Sequence, residues 1–188
     1  MIKERVKMLD EYKLKPLEEA DLNIVLKWRN SNRIKQYMYT DHMITWEEHR
    51  KWFVKVKQDE TTKIFLLHFH NQPLGLVNFK QIDLNNSRCY WGFYIGEENA
   101  PKGAGTIMGL LALDHIFYEV GLHKVCAEVI ETNERSYFYH QKLGFETEGK
   151  FKEHLWKDER FVDVISMALF VNKWDIVRKR LLQKMKGD

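Results

Sequence analysis

The run Ala100 to Thr106, APKGAGT, sets two glycines at the start of a long apolar helical pattern. A helix N-terminus carries unpaired N–H groups and a partial positive charge, so small residues there let a phosphate approach the backbone. Lys102, Gly103, Ala104, Gly105 and Thr106 are therefore candidate phosphate-contacting positions; the plainer reading is a tight turn with close helix packing. No Lys-Ser or Lys-Thr pair follows the second glycine, so the phosphate loop of nucleoside triphosphatases is absent, and the third glycine of a dinucleotide fingerprint is missing as well. Further on, NERSYFYHQKLGF (133–145) offers Asn133 as a helix cap, with the titratable Tyr139 and His140 side by side on the same helix. Adjacent helical residues point roughly 100° apart, so these two cannot serve the same spot. A histidine acid, with a reference pKa of about 6.5, is mostly neutral above neutrality, whereas a phenol at about 10 keeps its proton. The eight histidines show no HxxxH-type spacing and no nearby Cys pair, so no metal site is expected.

The surrounding pattern defines the elements that must hold these residues. YKLKPL (12–17) alternates as a first strand, and Leu22, Val25, Leu26 and Arg29 recur at helical spacing. Thr45 and Glu48 make a capping-box pattern that opens a second helix, on which Trp46, His49, Trp52, Phe53 and Val56 share a face. SNRIKQYMYTDHM, between the two helices, reads as irregular. KIFLLHFH, LGLVNFKQI and RCYWGFYI form an antiparallel meander, followed by a helix from about Gly103 to Val120 that Gly121 stops. KVCAEVIE is a buried strand, and the helix begun at Asn133 ends at Gly144. TEGKFKEHLW and RFVDVISMALF flank KDE as a hairpin, and a basic amphipathic helix (about 173–186) carries Trp174, Val177, Leu181 and Leu182, a face for its own domain or for a partner. Strand, helix and strand through 88–131 imply a parallel pair joined by a right-handed crossover, hence a mixed sheet and the α/β or α+β class.

No repeat or linker interrupts the 188 residues, which are read as a single domain, 1–188. Thirty Lys plus Arg against 27 Asp plus Glu leave +3, a mild excess that neither demands nucleic acid nor excludes a phosphate-bearing small molecule. Cys89 and Cys126 lie in apolar runs and read as buried hydrophobes. MIKERVKMLDEYKLKPL lacks the apolar core of a signal peptide, and no segment reaches the roughly 18 apolar residues of a membrane span. The expectation is a cytoplasmic protein, monomer or homodimer, with no membrane partner.

The order of meander, glycine-flanked helix, strand and Asn133 to Phe145 resembles the GNAT superfamily of acetyl-CoA-dependent N-acetyltransferases, over about residues 12 to 171. Its pyrophosphate loop, Gln/Arg-x-x-Gly-x-Gly/Ala, is matched by APKGAGT except that Ala100 stands where Gln or Arg is usual, which keeps the amides and removes one side-chain contact. The resemblance implies a twisted, mostly antiparallel sheet of about seven strands flanked by helices, with the fourth and fifth strands splayed apart, and direct transfer from acetyl-CoA in a ternary complex. Amides near Phe93, Tyr94 and Ile95 then face the pantetheine and thioester, and Asn133 hydrogen-bonds the pantetheine. Ser136 and Lys142 approach the CoA phosphates, and His140, aligned with the usual tyrosine, or Tyr139 beside it, protonates the sulfur.

More narrowly, WRN (28–30), MY (38–39), His49, YWGFY (90–94), AEVIETN (127–133) and GKFKEHLWKDERFVDV (149–164) resemble the PseH branch. These are nucleotide-sugar N-acetyltransferases of pseudaminic acid biosynthesis, the supply route for flagellin glycosylation. The resemblance implies acetylation of the 4-amino group of a UDP-linked 4-amino-4,6-dideoxy-N-acetyl-altrosamine, with Glu128 taking the proton directly or through water and Glu131 as second choice. It also puts His49 on the diphosphate. Arg29 and Lys80 supply further positive charge, while Met38, Tyr39, Trp52 and Tyr90 offer an apolar surface for a sugar methyl and a base. LKPLEEADLNIVLKW and NERSYFYHQKLGFETEG also resemble ribosomal-type N-terminal acetyltransferases, and Ala100 with His140 leaves open a non-catalytic acyl-CoA sensor.

Overall fold

The computed structural model describes residues 9–186. Its strands are β1 (Tyr12–Pro16), β2 (Lys63–Phe69), β3 (Gln72–Asp83), β4 (Arg88–Ile95), β5 (Lys124–Ile130), β6 (Glu146–Lys157) and β7 (Arg160–Phe170). The helices are α1 (Leu22–Asn30), α2 (Asn32–Lys35), α3 (Trp46–Gln58), α4 (Ala104–Asp114), α5 (Glu134–Lys142) and α6 (Val171–Lys186). All seven strands join one sheet in the order β1-β2-β3-β4-β5-β7-β6, antiparallel except where β4 meets β5. This is the mixed α/β sheet that the strand-helix-strand passage implies. No helix among the described residues is long and apolar enough to cross a membrane.

Alternation along the strands feeds two cores. Ile64, Leu66 and Leu76 project to one face and bury Leu22, Val25 and Trp28 of α1 and Phe53 of α3. Leu67, Val77, Phe79, Cys89, Trp91 and Val125 project to the other and bury α4 and α6. Each fully buried side chain of this kind contributes about 1.5–3 kcal/mol, so the positions of α1 and α4 over the sheet are set by apolar packing. The capping box closes as its spacing predicts: Thr45 Oγ1 accepts from the Glu48 amide (3.2 Å), and Glu48 Oε2 accepts from the Thr45 amide (2.7 Å). The buried stripe of α3 is narrower than the sequence suggests. His49 and Phe53 are inside, Trp52 and Val56 lie on its flanks, and Trp46 in the first turn is 38% exposed.

Three further differences are local. Residues 32–35, read as irregular, form one helical turn anchored by buried Ile34. The helix after Gly103 finishes in a π turn at His115–Glu119 before Gly121. β3 begins at Gln72, directly after a two-residue His70–Asn71 turn. The final helix packs on its own domain, with Trp174, Val177 and Leu181 buried. Asp114, the last residue of α4, accepts from Trp174 Nε1 (2.9 Å) and from Arg178 Nε (2.7 Å).

Two hairpins turn through a pair of consecutive residues with positive φ, the sign that matches the right-handed twist of the flanking strands. In the β6–β7 hairpin these are Asp158 (φ 48°) and Glu159 (φ 60°). A glutamate holds this conformation less readily than glycine does. Glu159→Gly is therefore expected to stabilise the protein by roughly 0.5–1 kcal/mol, read as a rise of about 1–4 °C in Tm; a fall in Tm would show that the turn is unstrained.

Candidate active site

Gly103 sits at the N-cap of α4 with φ 96°, a conformation that side-chain-bearing residues adopt at a cost, and nothing lies within 4 Å of where its Cβ would be. The turn sends the Ala104 amide back to the Pro101 carbonyl (3.0 Å) and the Ile107 amide to the Gly103 carbonyl (3.1 Å). Among the described residues, the amides of Gly103, Gly105 and Thr106 have no hydrogen-bond acceptor. Lys142, from α5, reaches across and donates to Thr106 Oγ1 (2.8 Å), bringing an ammonium to the same spot. Open space, three free N–H donors, a helix dipole and a lysine fit the diphosphate of CoA. Lys102 is exposed at the rim, and the Ala100 methyl packs on the core.

Below this helix end, β4 and β5 pair at only three positions, Arg88↔Lys124, Cys89↔Val125 and Tyr90↔Cys126, and then part. On its other side β4 stays bonded to β3, the Gly96 amide donating to the Leu74 carbonyl (2.8 Å). Antiparallel pairing alternates, so Tyr94 turns its backbone groups toward β3 while Phe93 and Ile95 present theirs to the gap. The splayed edge thus carries Phe93 and Ile95, with Tyr94 behind them. Arg33 of α2, which sequence reasoning did not single out, fixes the strand end by donating to the Ile95 carbonyl (3.0 Å) and the Gly96 carbonyl (2.6 Å).

The two adjacent candidate acids separate clearly. Tyr139 lies against Phe93, ring centroids 4.6 Å apart, and its hydroxyl donates to the Gly105 carbonyl in the first turn of α4. Gly109 makes room for it, since a Cβ there would stand 2.5 Å from that hydroxyl. Burial holds the phenol above its usual pKa. His140 is 3% exposed and has both nitrogens in use. The Trp91 indole can only donate, so Nε2 must accept from it (3.2 Å), which leaves the proton on Nδ1, donated to the Ser136 carbonyl (2.7 Å). Burial lowers this imidazole to about 4, so it is neutral at physiological pH with no N–H directed into the gap. Asn133 caps α5, its Oδ1 accepting from the Ser136 amide (3.1 Å), and Ser136 is half-buried beside the His140 ring.

Glu128 stands on β5 two residues past the last paired position and is exposed. Its Oε2 accepts from Tyr39 Oη (2.5 Å), a contact between residues 89 apart in sequence. Burial and this bond hold the Tyr39 phenol well above its usual pKa. Glu131 is engaged elsewhere, accepting from the Asp163 amide and from Lys150. Tyr90 pairs across strands with both Lys80 and Cys126, so all three share the sheet face from which Glu128 projects. Arg29 grips the loop that carries Tyr39, its Nη2 donating to the Thr40 carbonyl (2.8 Å) and hydroxyl (3.0 Å). Its Nη1 and His49 Nε2 are buried without partners among the described residues. Lys80 is exposed, with its pKa lowered by loss of solvent around the ammonium and by Arg29 nearby. His49 stacks on Trp52 at 5.0 Å, and Trp52 and Met38 are half-buried against the second core, doing packing work as well as facing this side. Lys157, a buried lysine also absent from the sequence reading, donates to the Met38 carbonyl and to Asp41 (2.9 Å each). Its signal in the sequence is phase: it alternates with Leu155, on the side of β6 that turns inward.

Residues 12–146 match the family described as "Acetyltransferase (GNAT) domain". The chain is 26% identical to the spermidine N(1)-acetyltransferase of Escherichia coli over 162 residues, covering 86% of this chain and 87% of that protein. It is 28% identical to the acetyltransferase PseH of Campylobacter jejuni over 129 residues, 69% and 79% of the two chains. Among solved structures, a spermidine N-acetyltransferase from Vibrio cholerae in complex with CoA and spermine superposes with a TM-score of 0.82 at 23% identity, over 88% of this chain and 98% of that one. That superposition carries the fold.

The depressed His140 pKa couples to stability. Between its unfolded value of about 6.5 and its folded value of about 4, the unfolded chain binds the extra proton, so stability falls as pH drops through this window. The loss approaches about 3 kcal/mol by pH 4. His140→Phe is expected to flatten this dependence in urea denaturation, while losing about 1–3 kcal/mol at neutral pH because the Trp91 N–H is left unpaired. An unchanged slope between pH 4.5 and 6.5 would place the acid sensitivity elsewhere.

Proposed function

The chain belongs to the GNAT acetyltransferase family and is an acetyl-CoA-dependent N-acetyltransferase; on that premise we propose that its acceptor is the 4-amino group of a UDP-linked 4-amino-4,6-dideoxy sugar, of the kind the PseH branch acetylates. Residues 12–171 act as one catalytic unit, buttressed by the last helix. The observation that supports an anionic acceptor is Arg29 Nη1, buried without a partner among the described residues, with Lys80 exposed on the sheet face from which Glu128 projects. A diphosphate supplies the missing acceptor atoms and a counter-charge. His49 Nε2 adds a second unpartnered polar atom on the same helical layer. A polyamine, positive along its length, meets the opposite field.

Acetyl-CoA supplies the acetyl group as a thioester, the new C–N bond forming as the C–S bond breaks. The Gly103, Gly105 and Thr106 amides with Lys142 hold the diphosphate. Lys102 lies at the rim, and Ala104 keeps the turn closed. The gap-facing amides of Phe93 and Ile95 hydrogen-bond the pantetheine or the carbonyl oxygen on which charge develops, with electrostatic effect strengthened by exclusion of water. Asn133 keeps an amide N–H₂ free beside this path while its oxygen caps α5. Glu128 accepts the proton of the acceptor ammonium, oriented by Tyr39. Tyr139 is the proton source for the departing sulfur, turning its hydroxyl from the Gly105 carbonyl, because His140 has no N–H free to give. Tyr90, Met38 and Trp52 offer apolar surface to the sugar and base.

A polyamine acceptor is the second reading, favoured by the longer match to the spermidine acetyltransferase, 86% of the chain against 69% for PseH. The two readings predict opposite signs. With the UDP-amino sugar, Arg29→Gln and Lys80→Gln should each raise the acceptor KM about tenfold or more and leave that of acetyl-CoA unchanged, an effect of one lost charge-assisted contact. With spermidine as substrate, Lys80→Gln should lower the acceptor KM instead. Product mass after incubation with each amine identifies the acceptor. Glu128→Gln should reduce kcat about 10²–10⁴-fold; wild-type turnover in that variant would remove Glu128 from proton transfer.

A further inference from the structure

The segment between α2 and α3 (residues 36–45) holds Tyr39 over Glu128, yet it has little apolar anchorage. Tyr39 is 46% exposed and Met43 62%; only Met38 and Ile44 are drawn inward. Its position therefore rests on polar clamps. Arg29 donates to the Thr40 carbonyl, and Asn30 exchanges two hydrogen bonds with the Ile44 backbone, 2.9 Å each. Both of those come from α1, on the near side. Among the described residues, Lys157 supplies the clamp from the far side, with Nζ at 2.9 Å from both the Met38 carbonyl and Asp41 Oδ2.

Lys157 is 5% exposed. An ammonium there loses most of its hydration for one carbonyl and one carboxylate that is itself half in water. An apolar side chain in phase with Leu155 would fill the position without that desolvation, and a buried ion pair is a weak source of stability. What it provides is geometry. β6, which ends at Lys157, pairs with β7, and β7 pairs with β5 so that Ser166 stands opposite Glu128. Lys157 therefore ties the backbone next to Tyr39 to the same rigid sheet that carries Glu128. The tight turn at Asp158–Glu159, with Lys157 paired to Arg160, fixes where the ammonium reaches.

We infer that Lys157 is a positioning residue for acetyl transfer: its ammonium, bridging the Met38 carbonyl and Asp41, holds Tyr39 in register on Glu128. The inference rests on the reading of Glu128 as the group that takes the acceptor's proton, and the experiment separates the two. Hydrogen exchange of residues 36–45 and steady-state kinetics with acetyl-CoA and either the UDP-linked 4-amino sugar or spermidine are measured on the full chain. The variants are Lys157→Met, Lys157→Arg, Asp41→Asn, Tyr39→Phe, Glu128→Gln and the Lys157→Met/Tyr39→Phe double. Lys157→Met is expected to speed exchange in 36–45 while residues 103–142 keep wild-type protection. It should lower kcat about 10- to 100-fold, the range for a displaced catalytic group, with the acetyl-CoA KM unchanged. Lys157→Arg should restore most of kcat, Asp41→Asn should reproduce part of the loss, and the double variant should be no slower than the worse single one.

Unchanged exchange in 36–45, or kinetic losses that multiply in the double variant, would overturn the inference. Loss of protection throughout the chain in Lys157→Met would mark a general stability role and overturn it as well. If Glu128→Gln turns over like wild type while Lys157→Met still acts through Tyr39, the positioning role stands and the proton-transfer assignment falls. If neither amine is acetylated, the proposed acceptors fall. The clamp is then decided by exchange alone: Lys157→Met should loosen 36–45 and Lys157→Arg should restore its protection, and unchanged exchange in both would overturn it.

Discussion

The parting of β4 and β5 organises the rest of the molecule. A strand inside a sheet satisfies its backbone donors and acceptors on both sides, and leaving one side open after three paired positions exposes groups that a side chain, water or a ligand must satisfy. The surroundings are built to keep that gap from closing. β3 holds β4 firmly on its other flank, and β7 holds β5. Arg33 engages the carbonyls at the open end, so the strand neither frays nor slides toward its neighbour. The helix that follows β4 then starts where the gap opens, and its free amides and the free strand edge offer one extended row of donors to one elongated ligand. Glu128, two residues past the last paired position, stands at the mouth of the same opening.

Much of this was legible in the residues themselves because it depends on neighbours in sequence. The Thr45–Glu48 cap, the glycine start of α4, the strand alternations and the Gly144 stop are all set within a few residues of where they act. The acceptor side is different. Tyr39 meets Glu128 across 89 residues and Lys157 meets Met38 across 119, and no local period encodes either pairing. His140 shows the limit most directly. Alignment on the Lys-Leu-Gly-Phe run points to it as a proton donor, but the Trp91 indole opposite it, 49 residues away, consumes the nitrogen that would have to act. Trp46 is a smaller case: helical spacing gives the right stripe, and only the sheet's extent decides how much of it is covered.

The two halves of the site solve opposite electrostatic problems. On the donor side, fixed dipoles and one lysine do most of the work, and the ionisable groups nearby, Tyr139 and His140, are buried into neutrality. On the acceptor side, charges are concentrated and incompletely matched: Arg29 near Lys80, Glu128 with a single phenolic donor, and Lys157 paired to a half-exposed Asp41. The neutral side suits a cosubstrate that is always the same, for which rigid geometry suffices. The charged side suits selection among amines that differ in what they carry beside the nitrogen.

Asp114 closes the C-terminal end of α4 by accepting from both Trp174 and Arg178 of the last helix. The helix whose first turn presents the free amides is thus secured at its other end by residues some 60 positions further on. During synthesis on a ribosome, α4 leaves the exit tunnel well before its anchor does, and the nascent chain must wait for the final segment before its apolar underside is covered. The firm seat of the amide-bearing first turn is therefore completed only once α6 has been made.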